Sequence, residues 1–437
     1  MNVRELAWRA LDRVTGDKSY SNIAVDTVIR RENLLGKDRS LFCVLVYGVI
    51  EKKITLDYLI DALSSLAPER IEPSARNLLR LGLYQLRFLD RVPDHAAVSE
   101  TVALAPRRMR GFVNAILRSY LRQKDTLALP KKEDGVFRYL SVRYSYPEEF
   151  CDKLVGEFGE QVAEDILAAF DKTPALTLRT NTLKTSRDAL LSALAQKGLS
   201  VAPTGSAPHG IRVEGASLAE LELDGGLFFV QDEASQIAVA ALDAGRGDTV
   251  YDICACPGSK SFGAALDMQN EGSLLSFDLH ENKLSLVRSG AERLGISILK
   301  TRTRDGRDLD GALVESADRV ICDVPCSGFG VVAKKPEIRY KELAACAALP
   351  EIQYDILSTA CRYVKKGGTL VYSTCTIFRE ENEENVARFL SEHPEFSLTP
   401  FTVGALEVPT GQITLLPSIH GTDGFFVAKF TRKDTLR

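Results

Sequence analysis

Val250-Tyr251-Asp252-Ile253-Cys254-Ala255-Cys256-Pro257-Gly258-Ser259-Lys260 reads as a strand, a loop of small residues and the start of a helix. The four-residue run rich in β-formers gives way at Pro257-Gly258, where turns are favoured. Downstream the pattern repeats: Leu274-Leu275-Ser276-Phe277-Asp278, Ile298 to Thr303, a strand ending at Asp323 and another ending at Thr374, with helical stretches between them. Alternation of this kind predicts an α/β, doubly wound, Rossmann-like sheet from about Gln231 to the end of the chain. Gly424 to Thr431 supplies a last strand that needs no helix after it. In such sheets ligands bind in the crevice beyond the carboxyl ends of the strands.

Upstream, 3.6-residue apolar spacing runs through Val3 to Val14, Ile23 to Ile29, Leu41 to Ile50, Leu56 to Leu66, Leu78 to Leu89, Ala96 to Leu104 and Phe112 to Leu121. Short polar connectors make this an all-α bundle over residues 1–130. Gln123 to Gly135, rich in charge and Pro, reads as a linker. Residues 137–230 then form a small α+β subdomain: two helical stretches from Phe137 to Ala169, a strand at Leu176 to Asn181, a helix over Arg187 to Lys197 and a strand at Gly210 to Val213. Residues 231–437 complete the chain.

Net charge is −4, yet residues 1–150 hold 25 Lys and Arg against 19 Asp and Glu, and the remainder 30 against 40. Arg107, Arg108, Arg110, Arg118, Arg122 and Lys124 gather positive charge on one helical stretch, as phosphate contacts require. A solvated surface is the bland alternative for one such cluster. The nine cysteines form no C-x-x-C pair, and none stands beside His at metal-ligand spacing. Neither a disulfide framework nor a metal site is indicated. The first residues lack an apolar signal core, and the longest apolar run is too short to span a bilayer, so a cytoplasmic protein without membrane association is expected.

The strand ends carry chemistry. The Cys254-to-Lys260 loop, with a helix N-terminus behind it, suits a carboxylate or phosphate. It matches neither G-x-G-x-x-G nor G-x-x-x-x-G-K-[ST], which counts against an NAD-dependent oxidoreductase or an NTPase. Asp278 stands where a ribose diol is gripped and Asp305 where an adenine amino group needs an acceptor; singly, each is an ordinary cap or turn residue. Asp323-Val324-Pro325-Cys326-Ser327-Gly328 and Ser373-Thr374-Cys375-Thr376 each follow an apolar β-rich run, so two thiols face one crevice. A thiolate that adds to pyrimidine C6 makes C5 nucleophilic enough to accept a methyl group from a sulfonium donor. Asp323 is suited to the base's N3 and amino edge, Lys260 to lowering a thiol pKa, and the second thiol to the release step. Taken separately, each cysteine reads as a buried small hydrophobe, the assignment for Cys43, Cys151, Cys322, Cys346 and Cys361. Which thiol attacks is open at this level.

These motifs resemble the RNA cytosine-C5 methyltransferases that use S-adenosyl-L-methionine. Asp252 to Lys260 is similar to the family's D-x-C-A-A-P-G-G-K, and the two cysteine motifs to its D-A-P-C-S-G and S-T-C-S. Gln231-Asp232-Glu233-Ala234-Ser235, Arg179-Thr180-Asn181-Thr182 and Gly421-Thr422-Asp423-Gly424-Phe425-Phe426 are similar to Q-D-x-A-S, R-x-N-x and G-x-D-G-F-F. The resemblance implies that Cys375 is the nucleophile, that Cys326 assists release, and that Asp323 lies beside the base. It places Cys254, Ala255, Cys256, Pro257, Gly258, Ser259, Lys260, Asp278, Asp305 and Asp323 on S-adenosyl-L-methionine, and Arg179 and Asn181 on RNA. Cys256, Ser259 and His280 depart from the family pattern, with cofactor affinity at stake.

Arg4 to Val14, Asp38-Arg39-Ser40, Val46-Tyr47-Gly48-Val49, Leu78 to Leu89, Val92 to Val98 and Gly111 to Arg118 resemble the NusB-like RNA-binding bundle. Its fusion to this catalytic type implies a 16S ribosomal RNA substrate, presented as a hairpin with an unstacked cytosine, with no DNA partner and the chain a monomer. The competing expectation is an RNA-binding ribosome-assembly factor whose methyltransferase fold is weakly active or inactive.

Overall fold

The computed structural model describes residues 2–16, 21–215, 221 and 224–434. The chain divides into two compact units, residues 1–171 with 332–343, and residues 172–331 with 344–437. This grouping differs from the three-part division drawn from the sequence, because the helices after the linker pack with the bundle.

The first unit is helical: α1 (Val3–Gly16), α2 (Ser21–Arg31), α3 (Gly36–Glu51), α4 (Lys53–Leu63), α5 (Pro73–Phe88), α6 (Asp94–Leu104), α7 (Arg110–Gln123), α8 (Val136–Tyr144), α9 (Glu148–Phe158) and α10 (Glu160–Phe170). The stretch expected to hold two helices holds three, since Ser145 takes a left-handed backbone (φ +63°) and Gly159 a φ of +77°. Leu45, Leu56, Leu59, Leu78, Leu81 and Val113 are among the fully buried side chains that make its core.

Residues 332–343 reach this unit from far along the chain. Arg339, 1 % exposed, lies over the Tyr146 ring (4.6 Å) and donates to the carbonyls of Glu51 (2.8 Å) and Tyr144 (3.3 Å). The Tyr340 hydroxyl donates to the Ile50 carbonyl (2.7 Å). The last carbonyls of a helix have no partner within it, so this strap closes the C-terminal end of α3 and brings a cation to its negative pole.

The second unit begins with β1 (Leu176–Thr180), α11 (Arg187–Gln196), β2 (Ser200–Pro203), β3 (Gly210–Glu214) and β4 (Phe228–Val230), an antiparallel sheet ordered β2-β3-β1-β4. There follow α12 (Glu233–Leu242), β5 (Thr249–Asp252), α13 (Ser259–Asp267), β6 (Ser273–Asp278), α14 (Glu281–Leu294), β7 (Leu299–Thr303), β8 (Ala317–Asp323), α15 (Leu349–Ala360), β9 (Val364–Thr374), α16 (Glu383–Glu392), β10 (Phe396–Leu398), β11 (Phe401–Val403), β12 (Leu406–Val408), β13 (Gln412–Leu415), α17 (Pro417–His420) and β14 (Phe425–Arg432). The large sheet runs β10-β14-β9-β8-β5-β6-β7 with β13 on β14; β5 to β9 are parallel and β14 is antiparallel to β9.

Side chains alternate faces along each strand. Val250, Ile321, Val371 and Val427 pack under α12, α13 and α14. Tyr251, Val320, Leu370, Tyr372 and Phe426 pack on the other face with residues of α15 and α16. Strand order reverses at β5, whose neighbours are β6 and β8. The crevice predicted from the sequence therefore opens beyond Asp252, Asp278, Asp323 and Thr374.

Candidate active site

Parallel register sets Asp323, the last residue of β8, opposite Ser373 of β9. Ser373 Oγ donates to Asp323 Oδ1 (2.8 Å), and Lys260 Nζ donates to Oδ2 (2.6 Å). Lys260, 7 % exposed, projects from the first turn of α13 and also lies 5.1 Å from the centroid of Phe425. Its charge, expected beside a thiol, goes to Asp323 and fixes that carboxylate instead.

Two residues past Ser373 and three past Asp323 the chain brings Cys375 and Cys326 together. Their sulfurs are 3.0 Å apart, and the Cys375 backbone N–H donates to Cys326 Sγ (3.2 Å). Both are partly exposed and neither is in a disulfide. The hydrogen bond with Cys375, burial, and the nearby Glu381 and Asp323 carboxylates hold the Cys326 thiol well above the ordinary range. Behind the pair, Gly330 N–H donates to the Cys375 carbonyl (2.9 Å) and Gly424 N–H to the Gly330 carbonyl (2.8 Å). A Cβ on Gly330 would stand 1.8 Å from the Gly424 oxygen, so this crossing of G-x-D-G-F-F over the Cys326 loop requires glycine.

The loop after β5 is tied to the end of β6. Ala255 N–H donates to the Phe277 carbonyl (2.8 Å) and Cys256 N–H to Asp278 Oδ2 (3.2 Å), while His280 N–H donates to Oδ1 (3.1 Å). A carboxylate accepts about four hydrogen bonds, so Asp278 retains capacity for a diol. Gly258 has φ +110°, while Ser259 begins α13 without a positive φ. Of the two positions glycine is needed at 258, and the serine fits the turn. Burial pushes the Cys254 thiol up, as it does that of Cys256.

One expectation is corrected. Arg179 is 3 % exposed and donates to Asp267 Oδ1 (2.6 Å) and the Gly263 carbonyl (3.2 Å); Asn181, fully buried, donates to the carbonyls of Gly226 and Leu294. Both brace the small sheet inside the second unit and are not presented to RNA. Asp305 is partly exposed and accepts from the Arg307 guanidinium (2.6 Å) and backbone N–H (3.0 Å), so an adenine amino group there would share the carboxylate with that exposed arginine. Arg107, Arg108, Arg110 and Arg118 are exposed, the first two just before α7, Arg110 at its start and Arg118 in its second half. Arg108 pairs with Glu72 (2.9 Å), Arg110 donates to the Ala105 carbonyl and Arg118 to Asn114. Of the cysteines read as inert, Cys151, Cys322, Cys346 and Cys361 are buried and Cys43 is partly exposed.

Sequence reasoning missed Glu381, a carboxylate 1 % exposed that accepts from the Ser327 N–H (2.9 Å), the Ser327 hydroxyl and Gln353 Nε2 (2.8 Å). The signal available was Glu380-Glu381-Asn382-Glu383-Glu384, an acidic run one residue after the buried Ile377-Phe378.

Asp252 is fully buried; one oxygen accepts from Ser261 (2.6 Å) and the other has no partner. Burial raises its pKa from 3.8 to about 7, against the lowering effect of Ser261. The unfolded chain therefore loses this proton first, and stability falls as pH rises from about 4 to about 7, then levels off. Asp252→Asn is expected to abolish that slope. Between pH 5 and pH 8 wild type should lose about 2–3 kcal/mol more than the variant in urea titrations; parallel profiles would refute the assignment.

A seven-stranded path with an antiparallel last strand, a carboxylate closing β6 beside a small-residue loop, and reactive groups beyond β8 and β9 define a Rossmann-like, S-adenosyl-L-methionine-dependent methyltransferase. Residues 239–431 match the family described as 16S rRNA methyltransferase RsmB/F, residues 1–122 the NusB family, and residues 146–219 the ferredoxin-like domain of RsmF/B-like methyltransferases. The chain belongs to the RsmB/F family of 16S rRNA methyltransferases. It is 37 % identical to the probable ribosomal RNA small subunit methyltransferase B of Bacillus subtilis (strain 168), over 99 % of each chain. It is 34 % identical to the protein of the same name from Synechocystis sp., over 99 % of this chain and 100 % of that one. A crystal structure of a methyltransferase homolog from Pyrococcus horikoshii superposes with a TM-score of 0.59 at 30 % identity, covering 67 % of this chain and 97 % of that one. Among the described residues no helix is long and apolar enough to cross a membrane.

Proposed function

We propose that this 16S rRNA methyltransferase acts on C5 of a cytosine, with Cys375 Sγ bonding transiently to C6. The observation that carries the reading is the pair of sulfurs 3.0 Å apart beside a carboxylate held by Lys260 and Ser373. S-adenosyl-L-methionine, when bound, supplies an electrophilic methyl group; the loop Cys254–Lys260 and Asp278 would hold it. Cys375 must lose its proton and attack C6, which moves electron density to C5. Asp323 is oriented to meet the N3 and amino edge as that density builds. Once C5 carries the methyl group its proton leaves to a base, the C5–C6 double bond re-forms and the Cys375 thiolate departs, with Cys326 assisting this release. A cytosine stacked in a helix cannot present C6 to a thiol, so the base must be turned out of its stack. On the first unit, the exposed Arg107, Arg108, Arg110 and Arg118 suit RNA phosphates.

Incubation of the protein with deproteinised 16S rRNA and methyl-labelled cofactor, followed by nucleoside mass spectrometry, tests this. Labelled 5-methylcytidine is expected. Label on N4 or on another base would overturn the reading, and failure to bind the cofactor in calorimetry would favour the assembly factor.

A further inference from the structure

Cys326 sits in a loop whose two sides are anchored to one point. Glu381 accepts the N–H and hydroxyl of Ser327, while Gln353, which donates to Glu381, donates also to the Pro325 carbonyl (3.0 Å). The Tyr372 hydroxyl, on β9, donates to the Glu381 carbonyl (2.6 Å), and Asn385 Nδ2 donates to Gln353 Oε1 (3.2 Å). Residues before and after Cys326 are thus fixed by a cluster drawn from β9, the turn after it, α15 and α16. The donors to Glu381 named here are a backbone amide, a hydroxyl and a carboxamide, none of them cationic. Both Glu381 oxygens accept, Oε1 from the Ser327 hydroxyl and Oε2 from the Ser327 N–H and Gln353 Nε2, which is the pattern of an acceptor-only carboxylate.

We propose that Glu381 is a positioning residue that distinguishes the two thiols: it locks the Pro325–Ser327 loop and keeps Cys326 protonated, so that Cys375 is the sulfur that attacks. A negative charge near a thiol opposes thiolate formation there; for Cys326 this adds to the larger effects of the Cys375 hydrogen bond and burial. The division of labour between the thiols rests on the reading given under Proposed function; the loop anchoring does not.

The test uses the full chain. In Glu381→Gln, alkylation of Cys326 by iodoacetamide, followed by peptide mass spectrometry across pH, should shift to lower pH by about one unit or more. With ordinary cytosine-containing rRNA and cofactor the same variant should accumulate a denaturation-resistant protein–RNA adduct. Its kcat should fall about tenfold or more with KM for RNA nearly unchanged. Ser327→Ala removes a donor without touching the charge, and should move the alkylation profile the opposite way; it serves also if Glu381→Gln is poorly folded. Glu381→Asp should restore most of the wild-type profile. An unchanged Cys326 profile in variants with wild-type melting and cofactor binding overturns the proposal. Failure of the underlying cysteine reading shows separately, in wild type, as no adduct with 5-fluorocytosine RNA.

Discussion

Cys375→Ala is expected to reduce methyl transfer to background and to abolish the covalent adduct that wild type forms with 5-fluorocytosine RNA. Fluorine at C5 cannot leave as a proton does, so the adduct is held at the stage before release. Cys326→Ala should still form that adduct, and should let one accumulate even on unmodified cytosine. The two sulfurs are too close for distance to choose between them, so the adduct has to. The Cys326 thiol is raised, first by its hydrogen bond with Cys375, then by burial and the nearby carboxylates, which is the direction expected of the sulfur that does not attack. Adduct formation by Cys375→Ala and its loss in Cys326→Ala would reverse the assignment.

Asp323→Asn should have the second largest effect, on stability and turnover together. Lys260 has only 8 % of its side chain exposed, and its ammonium is 2.6 Å from Asp323. Removing one partner of a buried pair costs about 3–5 kcal/mol; the Asp323 side chain is 30 % exposed, which puts the expectation at the lower end. Methyl transfer should fall by about two orders of magnitude or more, the scale for a group acting on a proton-bearing edge of the substrate. The double variant Lys260→Met/Asp323→Asn removes both charges and should recover most of the stability with no recovery of activity. Chemical denaturation and single-turnover methylation measure the two separately. Recovery of activity along with stability would mean that the pair serves folding alone.

The large sheet was legible because β5, β6, β8 and β9 contain short apolar runs closed by Asp or Thr; β7, Leu299–Thr303, is largely polar and passes to β8 without an α-helix, so the alternation expected from the sequence is broken there. The same closed runs made Asp323, Cys326 and Cys375 legible, since residues just past strand ends have one crevice to face. Arg179 and Asn181 misled because a polar pair at the end of a strand looks available. β1 lies between β3 and β4, and both side chains are consumed there as internal braces. Glu381 was hidden by composition: an acidic run reads as solvated surface, and only the turn after β9 puts one member under the Cys326 loop.

The strap over residues 332–343 bears on how the molecule is made. Domains emerging from the ribosome generally fold in turn, the N-terminal one first. Here the ends of α3 and α8 wait for Arg339 and Tyr340, so the amino-terminal bundle cannot be finished until the nascent chain has passed residue 343. By then β5 to β8 have been synthesised. Biogenesis of the two units is interleaved, and a fragment ending at residue 171 would carry an unfinished helix terminus.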